Sequence, residues 1–327
     1  MESVVCSQES AARSWMLRIR PVASVAIKFS NFEQMKVTGF SFIRNAIKYQ
    51  YPVKESILSL LPLVDEYIIA VGNSDDGTRD LIASIPSGKI KIIDTVWDDT
   101  LRTGGTVLAE ETNKAFNALP PDTDWAFYLQ GDECLHEKDY PAIRSAMEKY
   151  LTDKRVDGLL FKWLHFYGRY DYIGTGRRWY RKEIRIIRND KNITSWKDAQ
   201  GFRFKNGAKL KVKEIDARIY HYGWVKPPEV SYKKGLAFKA MHDPAFTVKP
   251  EDDKKKFDYF LNIDRLDLFT GSHPASVQER IKKVDWEFDF DTTQKGFKNM
   301  KLKHRISHII EDLTGYRPGE YKNYKKI

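Results

Sequence analysis

Trp125-Ala-Phe-Tyr-Leu-Gln130 runs directly into Gly131-Asp-Glu133. Five consecutive apolar residues, preceded by the helix-stopping pair Pro120-Pro121, read as a strand buried on both faces. Two acids follow at its C-terminal end. The same pattern occurs twice upstream. Val37-Thr-Gly-Phe-Ser-Phe-Ile43 reads as a first strand, and Tyr67-Ile-Ile-Ala-Val71 as a second. Helical patterns separate these runs. Pro52 opens one helix, where its missing N–H leaves no orphan, and Val53, Ile57, Leu60 and Leu61 give it an apolar stripe. Thr78–Ile85, Val107–Leu119 and Asp139–Leu151 read as further helices, and Lys89–Asp94 as a strand.

Alternating strands and helices predict an α/β fold with a mostly parallel sheet covered by helices on both faces. Ligands of such sheets bind outside the carboxyl ends of the strands. The polar clusters at 72–78 and 130–133 both fall there. Beyond them the chain is strand-rich, over Gly158–Leu164, Ile184–Arg188, Leu210–Val212 and Ala217–Tyr222. After Pro227-Pro228 it reads as a helical, basic C-terminal extension.

The chain has 327 residues, 42% apolar and 31% charged. That is enough for a sizeable core and excludes global disorder. Two cysteines, Cys6 and Cys134, exclude a disulfide scaffold and a cysteine zinc site. No apolar run reaches the roughly 18 residues of a spanning helix. The net charge of +10 is unevenly spread. Phe161–Lys213 holds 15 Lys/Arg against 4 Asp/Glu, and Lys295–Ile327 holds 9 against 3, so the remainder is acidic. Two basic blocks on an acidic remainder point to an anionic partner. Nucleic acid is not expected, because no helix-turn-helix, RRM or zinc pattern is present. Residues 1–34 read as an N-terminal extension, either non-native or disordered, with Met35 as the natural start. Arg18, Arg20 and Pro21 break its apolar stretch, which does not suit a signal peptide.

Four constellations carry chemistry. In Leu129-Gln-Gly-Asp-Glu133, Asp132 and Glu133 sit on a rigid strand end, where carboxylates bind a hard cation together with substrate phosphates; the alternative is a turn acid. Val71-Gly-Asn-Ser-Asp-Asp-Gly-Thr78 is dense turn chemistry, either a nucleotide cradle or a plain loop. Tyr220-His-Tyr-Gly-Trp224 ends a strand on His221, a metal ligand, a phosphate donor or a structural histidine. Ser195-Trp-Lys-Asp-Ala-Gln-Gly-Phe202 carries Asp198, a candidate base for a hydroxyl, with Asp190 and Asp171 as rivals.

The order of these motifs resembles the family 2 glycosyltransferases, which have the GT-A fold. The likeness covers about 36–225. Val37–Asn45, Val71–Thr78, Asn113 and Leu129–Glu133 look like that family's nucleotide-binding half, and Gly131-Asp-Glu133 like the end of its DXD-type motif. The resemblance implies a GT-A domain over 35–225, with a donor half at 35–151 and an acceptor half at 152–225, followed by a C-terminal region at 226–327. It implies an inverting transfer of sugar from a nucleoside-diphosphate sugar to an acceptor hydroxyl, in cell-surface glycan or polysaccharide synthesis. Asp132, Glu133 and His221 become the metal ligands for Mg²⁺ or Mn²⁺. Asp198 becomes the catalytic base, and Asn45, Asn73, Asp76, Asn113 and Arg178 become donor-binding residues. Arg177, Arg181 and Lys182 join Arg178 as candidate phosphate contacts.

Two departures stand out. Gly72 replaces the acid that reads the base, and Gln130 replaces the first acid of DXD, so a weakly held metal is expected. They keep open a catalytically inactive GT-A-like binding module. A metal-dependent nucleotidyl- or phosphotransferase is the other enzyme alternative, without a Walker-type loop to support it. The expected partners are a nucleotide-sugar donor and a glycan or lipid-linked acceptor. The expected location is cytoplasmic, with peripheral contact at the inner face of the membrane. Lys298, Lys301, Lys303 and Arg305 precede the apolar patch Ile306–Ile310, which suits a basic helix lying on an anionic leaflet.

Overall fold

The computed structural model describes residues 35–101, 103–250, 252, 255–261, 263, 265–293 and 302–327. Residues 1–34, with Cys6, and the tail lysines Lys298 and Lys301 lie outside the described residues.

Residues 35–151 contain β1 (Val37–Ile43), α1 (Val53–Leu60), β2 (Glu66–Gly72), α2 (Thr78–Ala83), β3 (Ile90–Thr95), α3 (Thr106–Asn117), β4 (Trp125–Tyr128), β5 (Glu133–Leu135) and α4 (Tyr140–Tyr150). Next come β6 (Gly158–Tyr167), β7 (Arg169–Gly174), β8 (Lys182–Arg188), β9 (Ile193–Trp196), β10 (Gly201–Phe204) and β11 (Lys211–Trp224). The remainder holds α5 (Pro228–His242), β12 (Leu266–Leu268), α6 (Gln278–Ile281), α7 (Leu302–Thr314) and β13 (Lys325–Lys326).

Strands β3-β2-β1-β4 run parallel, as the alternating pattern predicts. The period-2 alternation of each strand divides its side chains between two cores. Tyr67, Ile69, Val71, Trp125 and Phe127 point to one face, where α1, α2 and α4 add Val53, Ile57, Ile82, Ile143 and Met147. Ile68, Ala70, Ala126, Tyr128 and Phe40 point to the other, against Ala115 and Phe116 of α3 and Phe202 of β10. Strands with no solvent face are mostly apolar, which is why β2 and β4 were readable as continuous apolar runs.

Beyond β4 the order departs from a simple alternation. β8 pairs antiparallel with β4 and with β6. β11 runs parallel to β6 and antiparallel to β5. The two runs read as separate strands at 210–212 and 217–222 are one strand, β11, interrupted by an irregularity between Glu214 and Arg218. The region after Pro227 is more than helical. It contributes β12, paired to β7, and β13, paired to β11, to the same sheet.

An ion pair locks the turn from β4 into β5. Glu133 is fully buried and takes a two-pronged contact from Arg185 of β8 at 2.8 and 2.7 Å. Such a pair holds only while both partners remain, since either charge alone in that interior is strongly unfavourable.

Glu183, also on β8, is a second buried acid. It accepts the Ile184 N–H at 3.0 Å, but burial pushes its carboxyl up to about 7. The unfolded chain therefore loses this proton first as pH rises, and stability falls between the ordinary glutamate value and about pH 7. The loss is roughly 3 kcal/mol at most. Glu183→Gln is expected to raise the melting temperature at pH 8 and to change it little at pH 4, as calorimetry at the two pH values would show.

Candidate active site

The carboxyl ends of β1, β4 and β11 open onto a cavity of about 540 Å³, closed over by α5 and the 97–101 and 198–200 loops. Asn45, Asp132, Asp198 and His221 all line it. Residues from four distant parts of the chain thus meet at the place where open α/β sheets bind ligands.

Asp132 is the electrostatic centre. Its Oδ2 lies 3.3 Å from Lys234 Nζ and 3.6 Å from His221 Nε2. Burial opposes its ionisation, but Lys234 and His221, with Lys226 behind them, hold the carboxyl well below the usual range. Lys234 comes from α5 and also donates to the Gly223 carbonyl at 2.9 Å. Lys226 is buried, donates to the Tyr49 carbonyl at 2.8 Å, and is driven well below an ordinary lysine by burial and by Lys234. Basic groups thus outnumber the single carboxylate here, which suits an anionic ligand. Gly223 permits the approach of Asp132 to His221. A Cβ there would come within 2.6 Å of both Asp132 Oδ2 and His221 Nε2.

His221 is backed by His165, with the two Nδ1 atoms 3.2 Å apart. Burial holds His165 well below an ordinary histidine.

Asp198 also lines the wall, between two residues in the left-handed region, Lys197 (φ 55°) and Ala199 (φ 61°). Non-glycine residues rarely adopt that conformation, at about 1–2 kcal/mol each, and such strain gathers at functional sites. Asp198 Oδ1 is buried without a hydrogen-bond partner, and Oδ2 lies 3.7 Å from His242 Nε2 of α5. Asn113 sits outside the cavity wall and steadies this region. Its Oδ1 accepts the Ser195 N–H at 2.8 Å, tying α3 to β9.

The other expected donor residues are placed differently. Asn45 (φ 55°) is on the wall, with Oδ1 accepting the Asp75 N–H at 3.1 Å. Asp76 faces away from the cavity and braces Asn45's loop, accepting the Lys48 N–H at 2.7 Å and the Thr78 N–H at 3.0 Å. Asn73 accepts the Trp97 N–H at 3.3 Å. Trp97 fills the space beside Gly72, where a Cβ would come within 2.3 Å of its Nε1. The acid missing at position 72 is thus replaced by an indole on the cavity wall, flanked by Arg44 at 5.4 Å from the ring centroid.

Glu133 and the arginine group depart from expectation. Glu133 lies outside the cavity wall and is committed to Arg185, so its carboxylate does not stand beside that of Asp132. Arg178 is exposed over the Trp179 ring. Arg177 binds Ser307 Oγ and the Pro318 carbonyl, Arg181 binds Glu320, and Lys182 binds Glu214. These cations anchor the C-terminal segment and strand β11 rather than a phosphate.

Sequence reading missed Lys234, Lys226, His165 and His242. No local motif marks them. The i, i+8 spacing of Lys234 and His242 on one helix was the only available signal.

A divalent cation is the group the motif order implies, and the donor set fits one shared with a substrate. Asp132 Oδ2 and His221 Nε2 are 3.6 Å apart, within the roughly 4.2 Å that two ligands about 2.1 Å from one ion can span. Among the described residues no cluster of three or more His, Cys, Asp or Glu side chains forms a preformed cage. Mg²⁺-type sites typically use one or two protein ligands plus substrate phosphates.

No protein-family model matches the chain, and no curated protein matches it. Solved structures show partial likeness. Staphylococcus aureus TarS 1–349 in complex with UDP is 14% identical, with a TM-score of 0.39, over 63% of this chain and 65% of that one. The match thus spans less than two thirds of that structure. 4-Diphosphocytidyl-2C-methyl-D-erythritol synthase from Anaerococcus prevotii is 10% identical, with a TM-score of 0.36, over 63% and 95%. Glucosyl-3-phosphoglycerate synthase from Mycobacterium tuberculosis, in complex with Mn²⁺, UDP and phosphoglyceric acid, is 19% identical, with a TM-score of 0.28, over 41% and 43%. These likenesses assign no role to any residue here.

Proposed function

We propose that this chain is an inverting glycosyltransferase of the GT-A type, moving a sugar from a nucleoside-diphosphate sugar to an acceptor hydroxyl. One observation carries the reading. Asp132, surrounded by Lys234, Lys226 and His221, shares a single cavity with Asp198, which has an unpartnered buried oxygen. The first group suits a diphosphate, the second a hydroxyl.

Asp132 and His221 would hold the divalent cation. When bound, that ion supplies positive charge to the leaving diphosphate. Lys234 stands beside the same carboxylate oxygen and offers a further charge to the phosphates. Asn45, Arg44 and Trp97 form the wall nearest the nucleoside. Asp198 accepts the acceptor's hydroxyl proton as the hydroxyl oxygen bonds to the anomeric carbon. The bond from that carbon to the phosphate oxygen breaks, and its electron pair leaves with the diphosphate.

The deciding experiment is a thermal-shift panel of UDP, GDP, CDP, dTDP and ADP, each with and without Mn²⁺. A ligand bound only by the native state raises apparent stability. A metal-dependent rise with one diphosphate is expected, and it would name the base. A flat panel would remove the reading in favour of a binding module.

We further propose that the acceptor is a glycan or lipid-linked precursor of the cell surface, met at an anionic membrane face. No helix among the described residues is long and apolar enough to cross a membrane. Helix α7, however, exposes Leu302 (71%), Ile306 (51%), Ile309 (54%) and Leu313 (80%) along one stripe. Its acids are paired, Glu311 with Arg317 at 2.7 Å and the exposed Asp312 with Arg265 at 2.6 Å, while Lys303 is exposed. An apolar stripe with outward basic charge suits an anionic interface. Cosedimentation with phosphatidylglycerol vesicles at low salt is expected, and little with phosphatidylcholine alone. Ile306→Ser with Leu313→Ser should cut the bound fraction several-fold. Equal recovery of both proteins in the supernatant would remove this part of the reading.

A further inference from the structure

We propose that His165 is a positioning residue for the cation site: it sets the tautomer of His221, so that the Nε2 lone pair of His221 is presented beside Asp132. The inference rests on the reading of Asp132 and His221 as cation ligands and deepens it.

The argument starts at the Tyr180 carbonyl. His165 Nε2 lies 2.9 Å from that oxygen. A carbonyl only accepts, so His165 Nε2 carries a proton. The ring is 3% exposed and stands among aromatic neighbours, with centroids at 5.0 Å to Trp179, 4.6 Å to Tyr180 and 6.1 Å to Trp163. An imidazole in such surroundings is neutral. Its Nδ1 therefore holds a lone pair. That atom is 3.2 Å from His221 Nδ1, so the hydrogen in the contact belongs to His221.

The consequence reaches the cavity. With Nδ1–H donated to His165, His221 has only Nε2 left to face Asp132, at 3.6 Å. In the neutral ring that atom is a lone pair directed towards a carboxylate. Two electron-rich atoms stay together only with positive charge between or beside them. Lys234, 3.3 Å from the carboxylate oxygen, supplies part of it. A divalent ion held by Asp132 and His221 would supply the rest. The opposite tautomer of His221 would place a proton on Nε2 and remove it as a ligand. Histidine ligands are commonly oriented in this way by an acceptor on their second nitrogen. Here the acceptor is another histidine, 56 residues away in the sequence.

The test uses the full chain and Mn²⁺ alone, with free Mn²⁺ followed by EPR. His165→Asn keeps an acceptor oxygen near the Nδ1 position, whereas His165→Leu does not. Wild type and His165→Asn are expected to bind alike, with His165→Leu about 10- to 100-fold weaker. Unchanged affinity in His165→Leu overturns the proposal. Equal losses in both variants also overturn it, since ring packing rather than an acceptor would then matter. If Mn²⁺ binding by wild type is not reduced in Asp132→Asn or His221→Ala, the ligand reading itself fails and this proposal with it. A ¹⁵N NMR spectrum of the wild type gives a check independent of any variant. Protons on His165 Nε2 and His221 Nδ1 are expected, and the reverse pattern refutes the idea.

Discussion

Asp132→Asn is expected to lower turnover by at least about a hundredfold and to abolish any Mn²⁺-dependent stabilisation by a nucleoside diphosphate. The amide keeps the shape but removes the one carboxylate that Lys234, His221 and Lys226 surround. Lys234 is then left without its counter-charge in a largely buried place, so the melting temperature should also fall by a few degrees. The sign of the pH dependence follows from the direction of the shift. Asp132 is held below the usual carboxylate range in the folded chain, so its contribution is complete above the unfolded value. It is lost only as pH falls through the depressed folded value. The stability gap between wild type and variant should therefore persist across neutral and mildly acidic pH, and close only in strong acid. Turnover that survives intact would remove Asp132 from the cation and diphosphate role.

Asp198→Asn is expected to lower kcat by about 10²- to 10⁴-fold, the usual range for removal of a general base. Affinity for the diphosphate should be unchanged, because Asp198 has no contact with Asp132, His221 or Lys234 among the described residues. The two variants therefore separate the two halves of the proposed reaction. One loses donor-side binding and the other loses only the chemical step. Titration of the diphosphate into Asp198→Asn checks this directly. A collapse of donor affinity there would make Asp198 a structural or binding residue. Neither of its rivals lines the cavity: Asp190 accepts from Asn192 within its own turn at 2.9 and 3.0 Å, and Asp171 pairs with Arg169 at 3.6 Å.

The fate of the acids at 130–133 shows how far the sequence could be read. Asp132 and Glu133 looked like paired ligands because they are adjacent. A turn separates them, since the Glu133 N–H donates back to the Gln130 carbonyl at 3.0 Å, leaving Asp132 within the turn and Glu133 as the first residue of β5. Asp132 reaches the cavity and Glu133 turns into the core to meet Arg185. The arginines at 177–181 mislead for a related reason. Their charge was visible, but not the C-terminal carbonyls, hydroxyl and carboxylates that satisfy them 130 to 141 residues later.

The sequence by itself determined the α/β layering. The apolar runs at 67–71 and 125–129 and the aromatic, β-branched stretch at 37–43 fit buried strands, and the intervening stripes fit helices packed upon them. It also determined that polar residues would gather at the strand ends, because that is where a parallel sheet leaves its loops. Local periodicity and turn chemistry suffice for such statements. The tertiary structure alone decided that β8 enters antiparallel beside β4, that β12 and β13 join the same sheet, and that α5 brings Lys234 to Asp132 across 102 residues of chain. It also decided that His165 stands behind His221. These are pairings between distant segments, set by which surfaces remain to be buried once the local elements have formed, and no short window of sequence contains both partners.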